Sequence, residues 1–441
     1  MLIDVNVQSM LARTAAGVLS DKLDTEVSIK NFHLTSDLGI YAEDVYINDK
    51  NDNPMFKVGE LKVRFALSDY ADIIRIKQLY ISDVVANIVK YDNASSSNIA
   101  ELFKSDGNND HKEKNNDNNN IQLIIDDFTF DNGNVVVWNQ TKYNPDKESM
   151  DYRYIDIDDI DLKFTDIQCK SDTIYAFIHH ISANDRCGFS IDTLRSDSKV
   201  LFSTKGLILN DMILKTHATS LDMDLRFLYN DLKAYNKFVD SVKIEAEFRP
   251  SQLTLSDIGY FTNVMKIMKD TLQIEGSING YVRDFVAEDF RFSFKDSTNF
   301  EGDIKMTGLP NFFETHIMAD IKELNFTYQD ITQLAIPTPT SKVPLPEMLS
   351  ALKQAKLSAH YEGYPNNFTT KFKLNTNLGD INVDCNLNHD LLSLSKPHYY
   401  AKISTDSLNV KDLLKFDDDA VITMSADLHG AGFTKNDADI D

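Results

Sequence analysis

Gly280-Tyr281-Val282-Arg283-Asp284-Phe285 comes back 83 residues later as Gly363-Tyr364-Pro365-Asn366-Asn367-Phe368. Gly302-Asp303-Ile304 matches Gly379-Asp380-Ile381, and Leu324-Asn325-Phe326 with Asp330-Ile331 matches Leu408-Asn409-Val410 with Asp412-Leu413, at offsets of 77, 84 and 82. A third copy opens at Gly430-Ala431-Gly432-Phe433. A recurring unit of about 80 residues cannot bury its apolar face alone, so neighbouring units stack into an extended sheet. Such a body is a scaffold, bridge or conduit more readily than a compact enzyme.

Around these anchors apolar and polar residues alternate, the period of a strand with one buried and one wet face. Residues 56–67 show it most clearly, and 155–164, 174–181, 199–204, 206–214, 217–225 and 242–249 continue it. Asn132-Gly133, between Phe128-Thr129-Phe130 and Val135-Val136-Val137-Trp138, predicts a hairpin. Residues 4–23 predict a helix with Met10, Leu11, Ala15, Val18, Leu19 and Leu23 on one stripe. It carries few basic residues for a membrane surface, so it reads as a helix capping one end of the sheet. Short helices are expected near 98–103, 229–238, 257–269 (capped by Ser256) and 347–354, the last after Pro337, Pro339, Pro344 and Pro346. Residues 105–120 hold no apolar side chain and read as a disordered linker. The expected organisation is therefore 1–104, a helix-plus-strand module; 105–120, linker; 121–270, β-rich; 271–355, first repeat; and 356–441, second repeat, cut off as a third begins. The fold class is mainly β: an elongated, curved, repeat-like antiparallel sheet, an open groove, with an N-terminal capping helix.

The 441 residues carry 45 Lys and Arg against 68 Asp and Glu, a formal charge of −23. Nucleic acid is excluded as a partner, because phosphate binding needs clustered cations. Much of the acidity reads as solvated strand faces. Cys169, Cys187 and Cys385 form no C-x-x-C, so neither a zinc site nor a disulfide framework is expected; one Cys169–Cys187 bridge or free thiols both fit. Asp156, Asp158, Asp159 and Asp161 lack the glycine and terminal glutamate of a calcium loop and read as the wet face of a strand. His179 and His180 are adjacent, so on a strand they point to opposite faces. Hydrolase, nucleotide and metalloprotease signatures are missing. No catalytic residue, metal or cofactor is expected, and the chain is read as non-enzymatic. The functional signal is the apolar face itself. Ile278, Phe290, Phe292, Phe294, Ile304, Met306, Ile317 and Phe326 recur at mostly even spacing. In a closed sandwich they are core; in a sheet without a covering layer they line a trough suited to acyl chains, whose burial is non-directional.

The runs Leu19-Ser20-Asp21-Lys22-Leu23-Asp24-Thr25-Glu26-Val27-Ser28-Ile29, Pro54 to Val63, Ile76 to Ile81 and Asn98 to Phe103 resemble the start of AsmA/TamB-like envelope proteins. Leu272 to Phe285, Thr307-Gly308-Leu309-Pro310 and Leu378-Gly379-Asp380 resemble the recurring unit of the inner-membrane subunit of the translocation and assembly module. The resemblance covers 8–104 best and 150–170 and 270–435 more loosely. It implies a periplasmic body of stacked strands with an open apolar groove, tethered to the inner membrane through a segment missing here. It also implies an outer-membrane assembly-factor partner of the Omp85 type, met through a C-terminal region missing here. The implied function is transfer of phospholipid or related acyl chains between inner and outer membranes; the alternative is a scaffold assisting outer-membrane protein assembly by β-strand pairing. Asp24 stands where the family often has glycine.

Overall fold

Strand periodicity dominates the folded chain. A computed structural model describes residues 5–37, 39–66, 72–102, 122–142, 149–262, 265–295, 297–333, 347–388, 397–414, 418, 420–431 and 439–440. The linker at 105–120, the prolines at 337–346 and Gly432-Phe433 lie outside them. The protein is mainly β, its strands laid side by side in open, overwhelmingly antiparallel sheet, with a few short helices. It divides into two compact units, Met1–His217 and Ala218–Asp441.

In the first unit α1 (Val5–Leu23) packs on β1 (Val27–Thr35). β2 (Gly39–Asn48), β3 (Pro54–Phe65) and β4 (Ile73–Lys90) come after β1, each antiparallel to the last. After α2 (Asn98–Leu102), β5 (Gln122–Asn139) lies parallel to β4 along its whole length, the single parallel pairing of the described residues. That ladder ties the first 104 residues to the strands beyond residue 121, so the unit continues through β6 (Tyr154–Lys170), β7 (Thr173–Asp185), β8 (Ser190–Ile191), β9 (Thr193–Ser196), β10 (Val200–Ser203) and β11 (Gly206–Lys215). The division therefore falls at His217/Ala218, inside the segment expected at 121–270.

The second unit is a simple antiparallel meander: β12 (Ser220–Leu228), β13 (Lys243–Thr254), β14 (Thr271–Tyr281), β15 (Asp284–Phe294), β16 (Thr298–Thr307), β17 (His316–Phe326), β18 (Ala355–Tyr364), β19 (Asn367–Thr376), β20 (Gly379–Asn388), β21 (His398–Asn409), β22 (Val421–Ala431) and the two-residue β23 (Asp439–Ile440). Four strands and a helix form the repeat. α3 (Phe238–Ser241) lies between β12 and β13. α4 (Leu255–Gly259) comes after β13, α5 (Tyr328–Gln333) after β17 and α6 (Lys411–Leu414) after β21. Local polar residues start two of them: the Asp330 amide donates to Thr327 Oγ1 (3.1 Å) and the Lys411 amide to Asn409 Oδ1 (3.1 Å). Because α4, α5 and α6 recur after every fourth strand, all three sit at the same end of the meander.

Several local expectations change. Asn132-Gly133 makes no hairpin; β5 runs unbroken through it, and Asn132, at φ 57°, is a bulge residue. A left-handed residue serves a turn or a bulge equally well, and the parallel ladder to β4 holds β5 straight on. The helix expected over 257–269 ends at Gly259, because the chain doubles back: a Cβ at Gly259 would lie 2.8 Å from Lys266 Cα. Residues 229–238 form a 3-10 turn, Leu232–Lys237, leading into α3. On α1 the small Ala12 and Ala16 are buried, letting the helix approach β1, while Met10, Val18 and Leu19 of the expected stripe are exposed. Ser20 closes the junction, its Oγ accepting from the Val27 amide at 2.9 Å. Asp24 takes the left-handed φ of 51° that glycine favours. Cys169, Cys187 and Cys385 are all free thiols.

Bulges punctuate the ladders, and left-handed aspartates sit at three of them, Asp159, Asp166 and Asp289. Asp44, Asp83, Asp159, Asp166, Asp211 and Asp289 all sit at φ between 46° and 52°. Several of their carboxylates reach across the sheet: Asp44 meets Lys30 (2.8 Å) and Asp83 meets Asn132 (2.6 Å) on the next strand, while Asp166 meets Lys199 (2.6 Å) and Asp289 meets Lys322 (2.8 Å) two strands away. Aspartate tolerates this backbone region better than most side chains, and each bulge bends its strand. Part of the acidic excess is thus structural.

Candidate functional site: an uncovered apolar sheet face

Residues directly opposite across a ladder share a face. In the second unit one such row runs Leu225–Ala246–Ile278–Ala287–Ile304–Ala319–Tyr361–Thr370–Cys385–Ala401–Leu428. A second runs Phe285–Met306–Ile317–Gly363–Phe368–Leu387–Tyr399. A third runs Phe290–Gly302–Ile321–Ala359–Phe372–Val383–Ile403, and a fourth Ile274–Phe292–Phe300–Leu324–Leu357–Leu374–Ile381. At a strand spacing of about 4.8 Å, rows crossing eleven strands extend on the order of 50 Å.

All eight residues singled out from the sequence lie on this one face. Ile278, Phe290, Phe292, Ile304, Met306, Ile317 and Phe326 are half-buried, and no second layer of described residues covers them. Phe294 differs: at 4% exposure it is core. It lies at the helix end, where the face is closed, as it is further along by Leu352, Leu378, Leu408 and Val410 with Leu349 and Leu413 around them. Reading only β14–β17 misses the continuation through Phe368, Phe372, Leu374, Val383, Leu387 and Ile403. Their alternation (Phe368, Thr370, Phe372, Leu374) is the available signal.

Two of the repeat matches also shift. Gly280 and Gly363 are true equivalents, at φ 139° and 138°. Gly302 lies mid-strand in the third row, while Gly379 opens β20, so Val383 and not Gly379 occupies Gly302's place. Leu408 takes the place of Phe326 because a bulge between Thr405 and Leu408 absorbs the offset.

The reverse face is polar and laced with ion pairs: Lys371–Asp384 (3.0 Å), Lys356–Glu323 (2.6 Å), and Lys322 with both Asp289 (2.8 Å) and Asp303 (3.4 Å). A depression of about 270 Å³ is lined by Glu275, Arg291, Glu301 and Glu323 together with Ile274, Phe292 and Phe300 of the fourth row. Arg291 is held there between Glu275 (3.8 Å) and Glu301 (3.7 Å). Burial pushes the Tyr361 phenol up to about 12, and burial first, then the Asp384 charge, pushes the Cys385 thiol up.

The first unit carries rows of the same kind. One is Ile40–Val63–Leu79–Phe128–Phe164–Ile178 and another Ala42–Leu61–Ile81–Phe130–Leu162–Ile181. Cys169 lies opposite Leu123 and Ile174, and burial raises its thiol.

Polar constellations give no comparable site. Ser190, Asp192 and His217 meet, but Ser190 Oγ and Asp192 Oδ1 both contact His217 Nδ1 (2.7 Å each), whereas a triad needs the serine on Nε2. His179 contacts Thr165 (2.7 Å) and His180 contacts Ser182 (3.2 Å), so the adjacent histidines are separately engaged. Among the described residues no three His, Cys, Asp or Glu side chains converge as a metal site. No helix among them is long and apolar enough to cross a membrane.

Comparison with known proteins returns no matching family model, no matching curated protein and no matching solved structure.

Proposed function

We propose that this protein is a non-enzymatic carrier whose apolar sheet face solvates acyl chains during transfer of phospholipid or a related lipid between membranes. One observation carries the reading: the cross-strand rows from Leu225 to Leu428 stay largely apolar for eleven strands yet lack a covering layer of described residues. A side chain such as Ile or Phe gains about 1.5–3 kcal/mol on full burial, so a half-buried row leaves a large part of that unrealised. Acyl methylenes, at about 0.8 kcal/mol each, recover it without directional contacts. The resemblance to AsmA/TamB-like proteins supports a periplasmic setting between inner and outer membranes and an Omp85-type partner.

Purification followed by mass spectrometry of extracted lipid tests the reading. Phospholipid is expected to accompany the protein. Lipid-free protein that also fails to take up a fluorescent phospholipid would contradict it. Ile304→Lys places a charge in the longest row and is expected to abolish uptake; a folded variant that still carries lipid normally would remove the trough from the account.

A further inference from the structure

The strands of the second unit run between two unlike ends. One carries α4, α5, α6 and the closing cluster around Leu378 and Leu408. The other carries the turns after β12, β14, β16 and β18. There Leu232, Tyr235, Tyr281, Phe313 and Tyr364 are 38–46% exposed. Three of the five are tyrosines; the large apolar residues most exposed at the helix end, Phe261, Ile267 and Val421, include none.

The repeat itself keeps part of this rim. Tyr281 and Tyr364 each come directly after a glycine in the left-handed region. A Cβ at Gly280 would lie 2.4 Å from the Asp284 carbonyl oxygen, and one at Gly363 2.4 Å from that of Asn367. The glycine lets the hairpin close, and the tyrosine just beyond it is held out at the edge. Tyr364 is steadied edge-on against His316, with ring centroids 5.3 Å apart. The edge also borders the apolar face on the side away from α4, α5 and α6. Its turns, at 229–242, 281–284, 308–316 and 364–367, hold three Lys or Arg and four Asp or Glu, close to balance.

Exposed tyrosines beside Phe and Leu, with little net charge, match the chemistry of a bilayer's interface, where an amphipathic ring satisfies a polar and an apolar neighbour at once. We propose that the turn end of the second unit is a membrane-contact edge, seating Tyr281, Tyr364 and Phe313 at the headgroup level of a zwitterionic phospholipid bilayer. The edge gives acyl chains a side-on way into the rows, a purpose that rests on the lipid-carrier reading, although the contact itself does not. Near charge balance makes binding weakly dependent on salt.

The full chain carrying Trp138→Phe supplies a background without tryptophan fluorescence. Into it Tyr364→Trp, Phe313→Trp and, at the helix end, Phe261→Trp are placed singly. With vesicles of phosphatidylcholine brominated on its acyl chains, the first two are expected to shift to the blue and lose emission, and Phe261→Trp to do neither. No response at the turn end, or an equal response at Phe261→Trp, overturns the proposal. The double variant Tyr281→Asp/Tyr364→Asp, both positions being exposed, is expected to keep its circular dichroism and to lower vesicle co-flotation by about tenfold or more. Unchanged flotation overturns it as well. Protection of Cys385 from alkylation by detergent-solubilised phospholipid separates the two ideas: protection without quenching removes the edge and keeps the trough, and quenching without protection does the reverse.

Discussion

The two repeats of the second unit share a four-strand plan but not a degree of enclosure. In the first, ladders β14–β15, β15–β16 and β16–β17 each slip register at a bulge; in the second, β18–β19, β19–β20 and β20–β21 run without one. Along the rows the apolar face differs in the same sense. Ile274, Ala287, Phe300 and Ala319 are buried in the first repeat, whereas their counterparts Leu357, Thr370, Ile381 and Ala401 stay half-buried in the second, where Leu378, Leu408 and Val410 enclose only the helix end. Bulges bend strands, and bending brings a face's side chains over one another. Enclosure in a one-layer sheet is therefore set by backbone irregularities more than by how hydrophobic the residues are.

The largest test of that contrast places one charge at equivalent points. Phe292 stacks on Phe300 (centroids 4.7 Å apart, planes 11° off) beside buried Ile274. Phe292→Asp is expected to cost about 3–5 kcal/mol in urea unfolding. Leu374→Asp, at the same row in the open repeat, is expected to cost about 1–2 kcal/mol. Equal losses would mean that the bulged repeat is no better enclosed.

A smaller effect comes from the bulge itself. Asp289 holds φ 46°, which a β-branched side chain resists. Asp289→Val should cost about 1–3 kcal/mol and Asp289→Gly less than about 1 kcal/mol, read from the same unfolding curves. A valine as benign as glycine would show that the left-handed bulge is not enforced.

The smallest is a dependence on acid. Lys322, by hydrogen bond and then by charge, holds the Asp289 carboxyl below its usual range. A carboxylate with a lowered folded pKa contributes stability above its unfolded value, and the contribution fades as pH falls through the folded one. Asp289→Asn should therefore flatten the loss of stability below about pH 4, slightly, because the pair is exposed. In the unbulged repeat, Asp380 is lowered by Asn375 and then Lys373, so Asp380→Asn should do the same without changing enclosure. Acid limbs identical to the parent protein's would deny both pairs any share.

Much of this is legible in the residues. Alternation locates the strands, and Gly280-Tyr281 with Gly363-Tyr364 marks equivalent turns because only glycine fits where the hairpin backbone closes. The bulges are not legible. Asp289 and Asp159 look like ordinary wet-face acids, and nothing in a single letter says that φ is positive. Asn132-Gly133 misleads for the same reason, since bulge and turn ask for the same residues. The outward side of α1 is hidden because Ala12 and Ala16, the residues that pack, are less hydrophobic than Met10 and Leu19, which do not. In the candidate site, alternation reveals the face in β14–β17, but its counterpart rows in the first unit depend on the parallel β4–β5 ladder, which spans more than thirty residues of intervening sequence.

The chain's own thiols give the most direct test that the apolar face takes acyl chains. Cys385 and Cys169 lie in apolar rows, while Cys187 sits in the turn after β7, its thiol raised to about 11 by burial and Asp185. Alkylation of each, then mass spectrometry with and without added phospholipid, reads occupancy of the face against an internal reference. Slower modification of Cys385 and Cys169 with Cys187 unchanged is the predicted result; three rates indifferent to lipid would contradict the account.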